Sequence, residues 1–128
     1  MIRPRLAAPC LVAKAAASLA VDERLVPGAL SRPGARGPEA AAFETLSFGA
    51  REQMGVIVRL AYADLLQAAG RPTLLVLDDA LVHSDAERLA AMKRVLFDAA
   101  QRHQVLLFTC HPEHWRDMGV PLRALQLS

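Results

Sequence analysis

Two stretches decide the fold: Thr73-Leu-Leu-Val-Leu-Asp-Asp79 and Gln104-Val-Leu-Leu-Phe-Thr-Cys-His111. Each opens as a short, continuous apolar run, the pattern expected of a parallel strand covered on both faces. Each then ends in residues that carry chemistry. Between them, Ser84-Asp-Ala-Glu87 reads as a capping box, in which the Ser hydroxyl and the Glu carboxylate satisfy free amides at a helix start. A helix over about 85–102 follows, with Leu89, Met92, Leu96 and Ala99 on one face. Strand, helix and strand in this length make a right-handed βαβ unit. The expected class is α/β, a small and mostly parallel sheet with flanking helices. Ligand chemistry in such sheets gathers at the carboxyl ends of the strands, where Asp78, Asp79, Thr109 and His111 fall.

Upstream, residues 50–69 are helical in pattern, with Met54, Ile57, Leu60, Ala61, Leu65 and Ala68 apolar. Glu52, Arg59 and Gln67 leave a narrow wet stripe, so a mostly buried helix is expected. Gly70 followed by Arg71-Pro72 stops it. Downstream, a short helix near 112–117 and a last strand near 122–127 are expected to complete the unit. Residues 27–38 hold three Pro and three Gly, a composition that reads as a loop or linker. The Ala-rich stretch 6–20 has helical propensity without a clean amphipathic face. Residues 1–43 are therefore expected to be poorly structured, and 44–128 to form the folded unit.

Composition bounds the function. At 128 residues the chain suits one domain with a modest core. Its 53% hydrophobic and 22% charged residues exclude wholesale disorder. A net charge of +2 is too balanced to argue for nucleic acid or an acidic membrane by charge alone. Cys10 and Cys110 stand too far apart for a cysteine zinc site or a disulfide-dense scaffold, and read as small core residues. No apolar run approaches the roughly 18 residues of a membrane span, and Pro9 and Lys14 interrupt any signal-like core, so a cytoplasmic location without membrane contact is expected. His83 and His103 read as solvent-facing or local hydrogen-bonding residues, Trp115 as a packing residue, and Arg51, Arg59 and Arg71 as salt-bridged or solvated.

Four segments in order carry the chemistry: Leu46-Ser-Phe-Gly-Ala-Arg-Glu-Gln53, Leu74-Leu-Val-Leu-Asp-Asp79, Val82-His-Ser-Asp85 and Leu106-Leu-Phe-Thr-Cys-His111. A Ser and a Gly at a helix start present a hydroxyl and bare amides to an anion. An apolar strand ending in an acid holds a hard cation such as Mg²⁺, usually through water. A second acid beside it orients or deprotonates a water, and a His on the neighbouring strand end can bond a terminal phosphate.

Over about residues 44–120 this order resembles the C-terminal lobe of ABC-type ATPase heads of the SMC and DNA-repair class, in particular the large bacterial coiled-coil ATPases. The resemblance implies a P-loop NTPase fold, with ATP and Mg²⁺ bound in the assembled head. It matches Leu46, Ser47 and Gly49 to the signature motif, which in the family contacts the γ-phosphate of ATP held by an opposite head. Arg51, Glu52 and Gln53 match the REQ that follows. Asp78 matches the Walker B acid that supports Mg²⁺, Asp79 stands where most such proteins have a catalytic Glu, Asp85 matches the D-loop acid, and His111 the switch His. Phe48 fills a position that is often Gly, Ala50 replaces a Thr, and Asp79 is one methylene shorter than Glu.

The largest departure is an absence: neither Lys14 nor Lys93 sits in a G-x-x-x-x-G-K-[ST] frame. The resemblance therefore implies a C-terminal head fragment, from a split or truncated reading frame, that needs a P-loop-bearing N-terminal lobe or a second ATPase head as partner, with DNA reached through the larger assembly. Two other functions fit the residues: a non-catalytic interaction module or degenerate remnant, and a small metal-dependent phosphohydrolase using Asp78, Asp79 and His111.

Overall fold

The computed structural model describes residues 6–7, 18–24, 27–34 and 37–126. In chain order its strands and α-helices are β1 (Leu6–Ala7), β2 (Ser18–Val21), β3 (Pro27–Gly34), β4 (Gly37–Ala42), α1 (Phe48–Ala68), β5 (Leu74–Asp78), α2 (Ala86–Ala99) and β6 (Gln104–Phe108).

The βαβ unit forms as its apolar runs dictate. β5 and β6 pair in parallel, with Leu74 opposite Gln104 and Asp78 opposite Phe108, and α2 makes the crossover. Leu75 and Leu77 of β5 turn inward against Met54, Ile57 and Leu60 of α1 and Leu89, Met92 and Leu96 of α2, with Trp115 in the same core. α1 ends as its Gly70 requires. Gly70 takes a left-handed φ of 73°, the Arg71 amide donates to the Leu66 carbonyl at 2.8 Å and the Gly70 amide to the Gln67 carbonyl at 2.9 Å. This double closure satisfies carbonyls that the helix end would otherwise leave open. The buried stripe of α1 stops at Ala63, so Leu65, expected in the core, is exposed.

Among the described residues the two parallel strands are covered on one face, not on both. Leu74 (45%), Val76 (50%), Leu106 (41%) and Phe108 (39%) remain exposed on the other. The alternating burial follows from the pleat: α1 and α2 both pack on the side of Leu75 and Leu77, and no described element covers the opposite side.

The N-terminal third corrects two expectations. The Pro- and Gly-rich run is a β-hairpin, not a linker: β3 pairs antiparallel with β4 from Ala29 opposite Ala42 to Gly34 opposite Gly37. With β1 and β2 these strands form an antiparallel sheet in the order β1-β2-β3-β4, larger than the parallel pair. Proline is tolerated because of where it falls. Pro27 opens β3, Pro33 lies beyond the last residue of β3 paired to β2, and Pro38 is on β4, an outer strand among the described residues. At such places a missing N–H breaks no interior ladder. The stretch read as an Ala-rich helix contributes β1 and part of β2 at its ends, and residues 8–17 lie outside the described residues. Past β6, two short 3₁₀ turns, Pro112–His114 and Arg116–Met118, take the place of the expected short helix. Residues 119–126 form no strand, and residue 127 lies outside the described residues.

At the amino end of β6 a polar cluster ties the helices. The buried His103 meets Asp64 of α1, Nε2 to Oδ1 at 2.6 Å, and Arg102 reaches the same oxygen at 3.3 Å while its other nitrogen bonds Asp98 at 2.7 Å. Burial pushes the Asp64 carboxyl up, but the hydrogen bonds and charges of His103 and Arg102 outweigh it and hold the carboxyl below its ordinary value. A depressed folded pKa contributes stability that is present above the unfolded value of about 3.9 and lost as pH falls through the folded one. Asp64→Ala, which also leaves the His103 ring nitrogen unpartnered, should cost about 1–3 kcal/mol in denaturant unfolding near neutrality. The loss should shrink as the titration is carried to acid pH.

Candidate functional site

The carboxyl end of the parallel pair is shaped by the turn that leaves β5. Asp79 and Leu81 both adopt left-handed backbone, with φ of 44° and 68°. Asp tolerates that region through its short polar side chain, whereas Leu does not. Leu81 is held there by burying its side chain in the core. The Asp79 amide extends the ladder by donating to the Phe108 carbonyl at 2.9 Å. The Asp79 carboxylate in turn accepts from the Cys110 amide at 2.9 Å. That backbone hydrogen bond is the main cause holding the Asp79 carboxyl below its ordinary value, with the nearby charge of His111 adding to it. Asp79 and His111, placed on neighbouring strand ends by the sequence pattern, are linked through the backbone of Cys110. A Glu at position 79 would be less at home in the left-handed turn, which gives the shorter acid a structural reason.

His111 is partly buried. Its amide donates to Thr109 Oγ1 at 2.9 Å, its Nδ1 lies 3.4 Å from Glu113, and its ring stacks on His114 with centroids 5.4 Å apart. Cys110, expected as a core residue, is exposed, and its thiol is pushed up by its hydrogen bond to Asp79 and by the charge of that carboxylate. Asp78 stands exposed at the end of β5. Among the described residues no three His, Cys, Asp or Glu side chains group closely enough to hold a metal ion. An exposed strand-end carboxylate such as Asp78 suits a hard cation that keeps much of its water.

The start of α1 lies against the same turn. Ser47 caps the helix, its hydroxyl accepting from the Ala50 amide at 3.3 Å. Gly49 has a packing reason of its own: a Cβ there would stand 2.6 Å from the His83 carbonyl oxygen. Leu46 packs on the edge of the core. Phe48 is exposed, with the Arg51 guanidinium 4.4 Å above its ring and the His83 ring 5.9 Å away. Gln53 is fully buried; its Nε2 approaches Ser84 Oγ at 3.5 Å, and its Oε1 has no hydrogen-bond partner among the described residues. Asp85 caps α2, accepting from the Arg88 amide at 2.9 Å and pairing with the Arg88 guanidinium at 3.2 Å. The cap is thus one residue later than the box expected at Ser84, whose hydroxyl faces Gln53 instead.

Two groups of residues result, joined by residues 79–85: Asp79, Cys110 and His111 at the strand ends, and Gly49 and Gln53 of α1 against His83 and Ser84, with Ser47 capping that helix. Asp85 closes the segment, and Asp78 precedes it at the end of β5. One doubly bonded pair here is not singled out by the sequence pattern. Glu52 accepts from the His83 amide at 3.0 Å and meets its ring Nδ1 at 2.8 Å. The partners are 31 residues apart, with no local spacing to announce them.

No family model matches the chain. It is similar to the uncharacterized protein Rv1278 of Mycobacterium tuberculosis, 41% identical over 73 residues, or 57% of this chain and 8% of the relative. It is similar also to the uncharacterized protein YhaN of Bacillus subtilis, 41% identical over 75 residues, 58% of this chain and 8% of that protein. The chain thus matches less than a tenth of the length of these relatives.

The packing of α1 on the turn yields a pair of opposite outcomes. Gly49→Ala forces a methyl against the His83 carbonyl and should destabilise by about 1–3 kcal/mol. Gly55→Ala, in the same helix with nothing within 4 Å of the new Cβ, should stabilise by about 0.5–1 kcal/mol. Urea unfolding of both variants checks the sign.

Proposed function

We propose that this chain supplies the C-terminal half of an SMC-like ATPase head, completing a nucleotide site whose phosphates are cradled by another polypeptide segment. The observation that carries the reading is the tethering of the α1 start, the Asp78-Asp79 strand end and the His111 strand end to the single 79–85 turn. Ser47 and the first amides of α1 would receive a terminal phosphate. Asp78 would hold Mg²⁺ through water, Asp79 would orient the attacking water, and His111 would bond the transferred phosphoryl oxygens. Arg51 and Asp85 would shape the rim of that surface, Gln53 supports it from beneath through Ser84, and Leu46 seats the helix start on the core. When bound, ATP and Mg²⁺ would supply the phosphoryl group and the countercharge; the chain contributes orientation and a proton acceptor.

A P-loop-bearing lobe, or a second head, is the partner proposed. The uncovered apolar face of Leu74, Val76, Leu106 and Phe108 and the two open edges of the parallel pair, among the described residues, support a partner. Two parallel strands covered on one side are too few to stand well alone. The similarity to segments of much longer proteins is in keeping with such a lobe. Work on DNA would belong to the whole machine, inside the cell.

A second reading is a non-catalytic interaction module. It is favoured by Ser47 and Gly49, each of which local capping and packing already explain. Steady-state ATP turnover of the chain mixed with a P-loop-bearing lobe separates the two. Turnover that appears on mixing and falls at least about 100-fold in Asp78→Ala supports the ATPase reading. No turnover on mixing supports the module, and Mg²⁺-dependent hydrolysis by the chain alone would contradict both.

A further inference from the structure

We propose that Glu52 is a positioning residue: by gripping His83 it holds the 79–85 turn against α1 and so fixes the Asp79 carboxylate at the strand end. Gly49, Glu52 and Gln53 share one face of α1, being three and four residues apart, and all three meet the turn at His83 and Ser84. The His83 carbonyl fills the space over Gly49. Glu52 spans His83 with both oxygens, Oε2 to the backbone amide at 3.0 Å and Oε1 to Nδ1 at 2.8 Å. Gln53 reaches Ser84 Oγ at 3.5 Å. Of these, the contacts of Glu52 are the short ones with a charged acceptor, which are the strong kind.

The turn has reason to need that grip. Leu81 sits in left-handed backbone that a bulky residue leaves when it is free to, and Asp79, which tolerates that region, lies in the same turn. Leu81 is anchored below by its buried side chain, and Glu52 anchors the turn from the α1 side. Released at His83, the turn can relax toward ordinary backbone and carry the Asp79 carboxylate away from the Cys110 amide, 2.9 Å distant. Glu52 touches neither Asp79 nor Cys110 in this arrangement and would act on them only through the turn. The inference uses no nucleotide, so it stands or falls apart from the ATPase reading.

Amide hydrogen exchange on the full chain, read by NMR at one pH for the native sequence, Glu52→Ala and Glu52→Gln, tests it. The probes are the amides of Asp79 and Cys110, whose acceptors are the Phe108 carbonyl and the Asp79 carboxylate. Glu52→Ala should speed exchange at both by about tenfold while the Leu96 and Leu107 amides keep their rates. Glu52→Gln, which can still accept from the His83 amide, should restore most of the protection. Unchanged exchange at Asp79 and Cys110 in Glu52→Ala, or no rescue by Glu52→Gln, would overturn the proposal. Should Glu52→Ala unfold the chain, His83→Ala removes the ring contact alone. A rise of about threefold at Cys110 is then expected, and no rise overturns the proposal.

Discussion

The bond from the Cys110 amide to the Asp79 carboxylate is the constraint on which the rest of the site turns. Parallel pairing of β5 with β6 brings two strand ends side by side, but pairing alone leaves a side chain beyond the last rung free to point anywhere. This bond, with the rung from the Asp79 amide to Phe108, carries the order of the sheet one residue further, to the acid itself. It also keeps that acid ionised to lower pH than usual, the state in which it can orient a water or meet a cation.

Around that bond the molecule divides its labour. The core of Leu75, Leu77, Met54, Met92 and Trp115 holds the helices to one face of the strands. The turn after β5 is strained at Leu81 and is held from below by the buried Leu81 side chain and from the side by α1. The far end of the sheet is tied separately, by His103 and Asp64. The His103–Asp64 tie and the candidate site thus lie at opposite ends of the strands.

Much of this is legible in the sequence, for physical reasons. The runs 74–77 and 104–108 announce strands, and Gly70 announces a helix end. What is not legible is tertiary. Apolar strands predict two covered faces, yet the described chain covers one, because the pattern records what a strand prefers and not what is present to meet it. The prolines of 27–38 predict a loop, yet they fall at strand starts, overhangs and an outer strand, where the ladder spares their N–H. Gly49 reads as a bare amide for an anion, yet it also makes room for a carbonyl from residue 83. The partnership of Glu52 with His83 crosses 31 residues and leaves no periodic trace. Ser84 rather than Asp85 reads as the helix cap because the competing claim of Gln53 on its hydroxyl is invisible in one dimension.

The central claim is that this surface meets a triphosphate only together with a phosphate-cradling partner. It is tested most directly by titrating the isotopically labelled chain with MgATP, first alone and then beside a P-loop-bearing lobe, while following the amides of Ser47, Gly49, Asp79 and His111 by NMR. The account predicts that these amides move only when the lobe is present, and move together. Saturable micromolar binding by the chain alone, or a response in the mixture that leaves these four amides still, would contradict it.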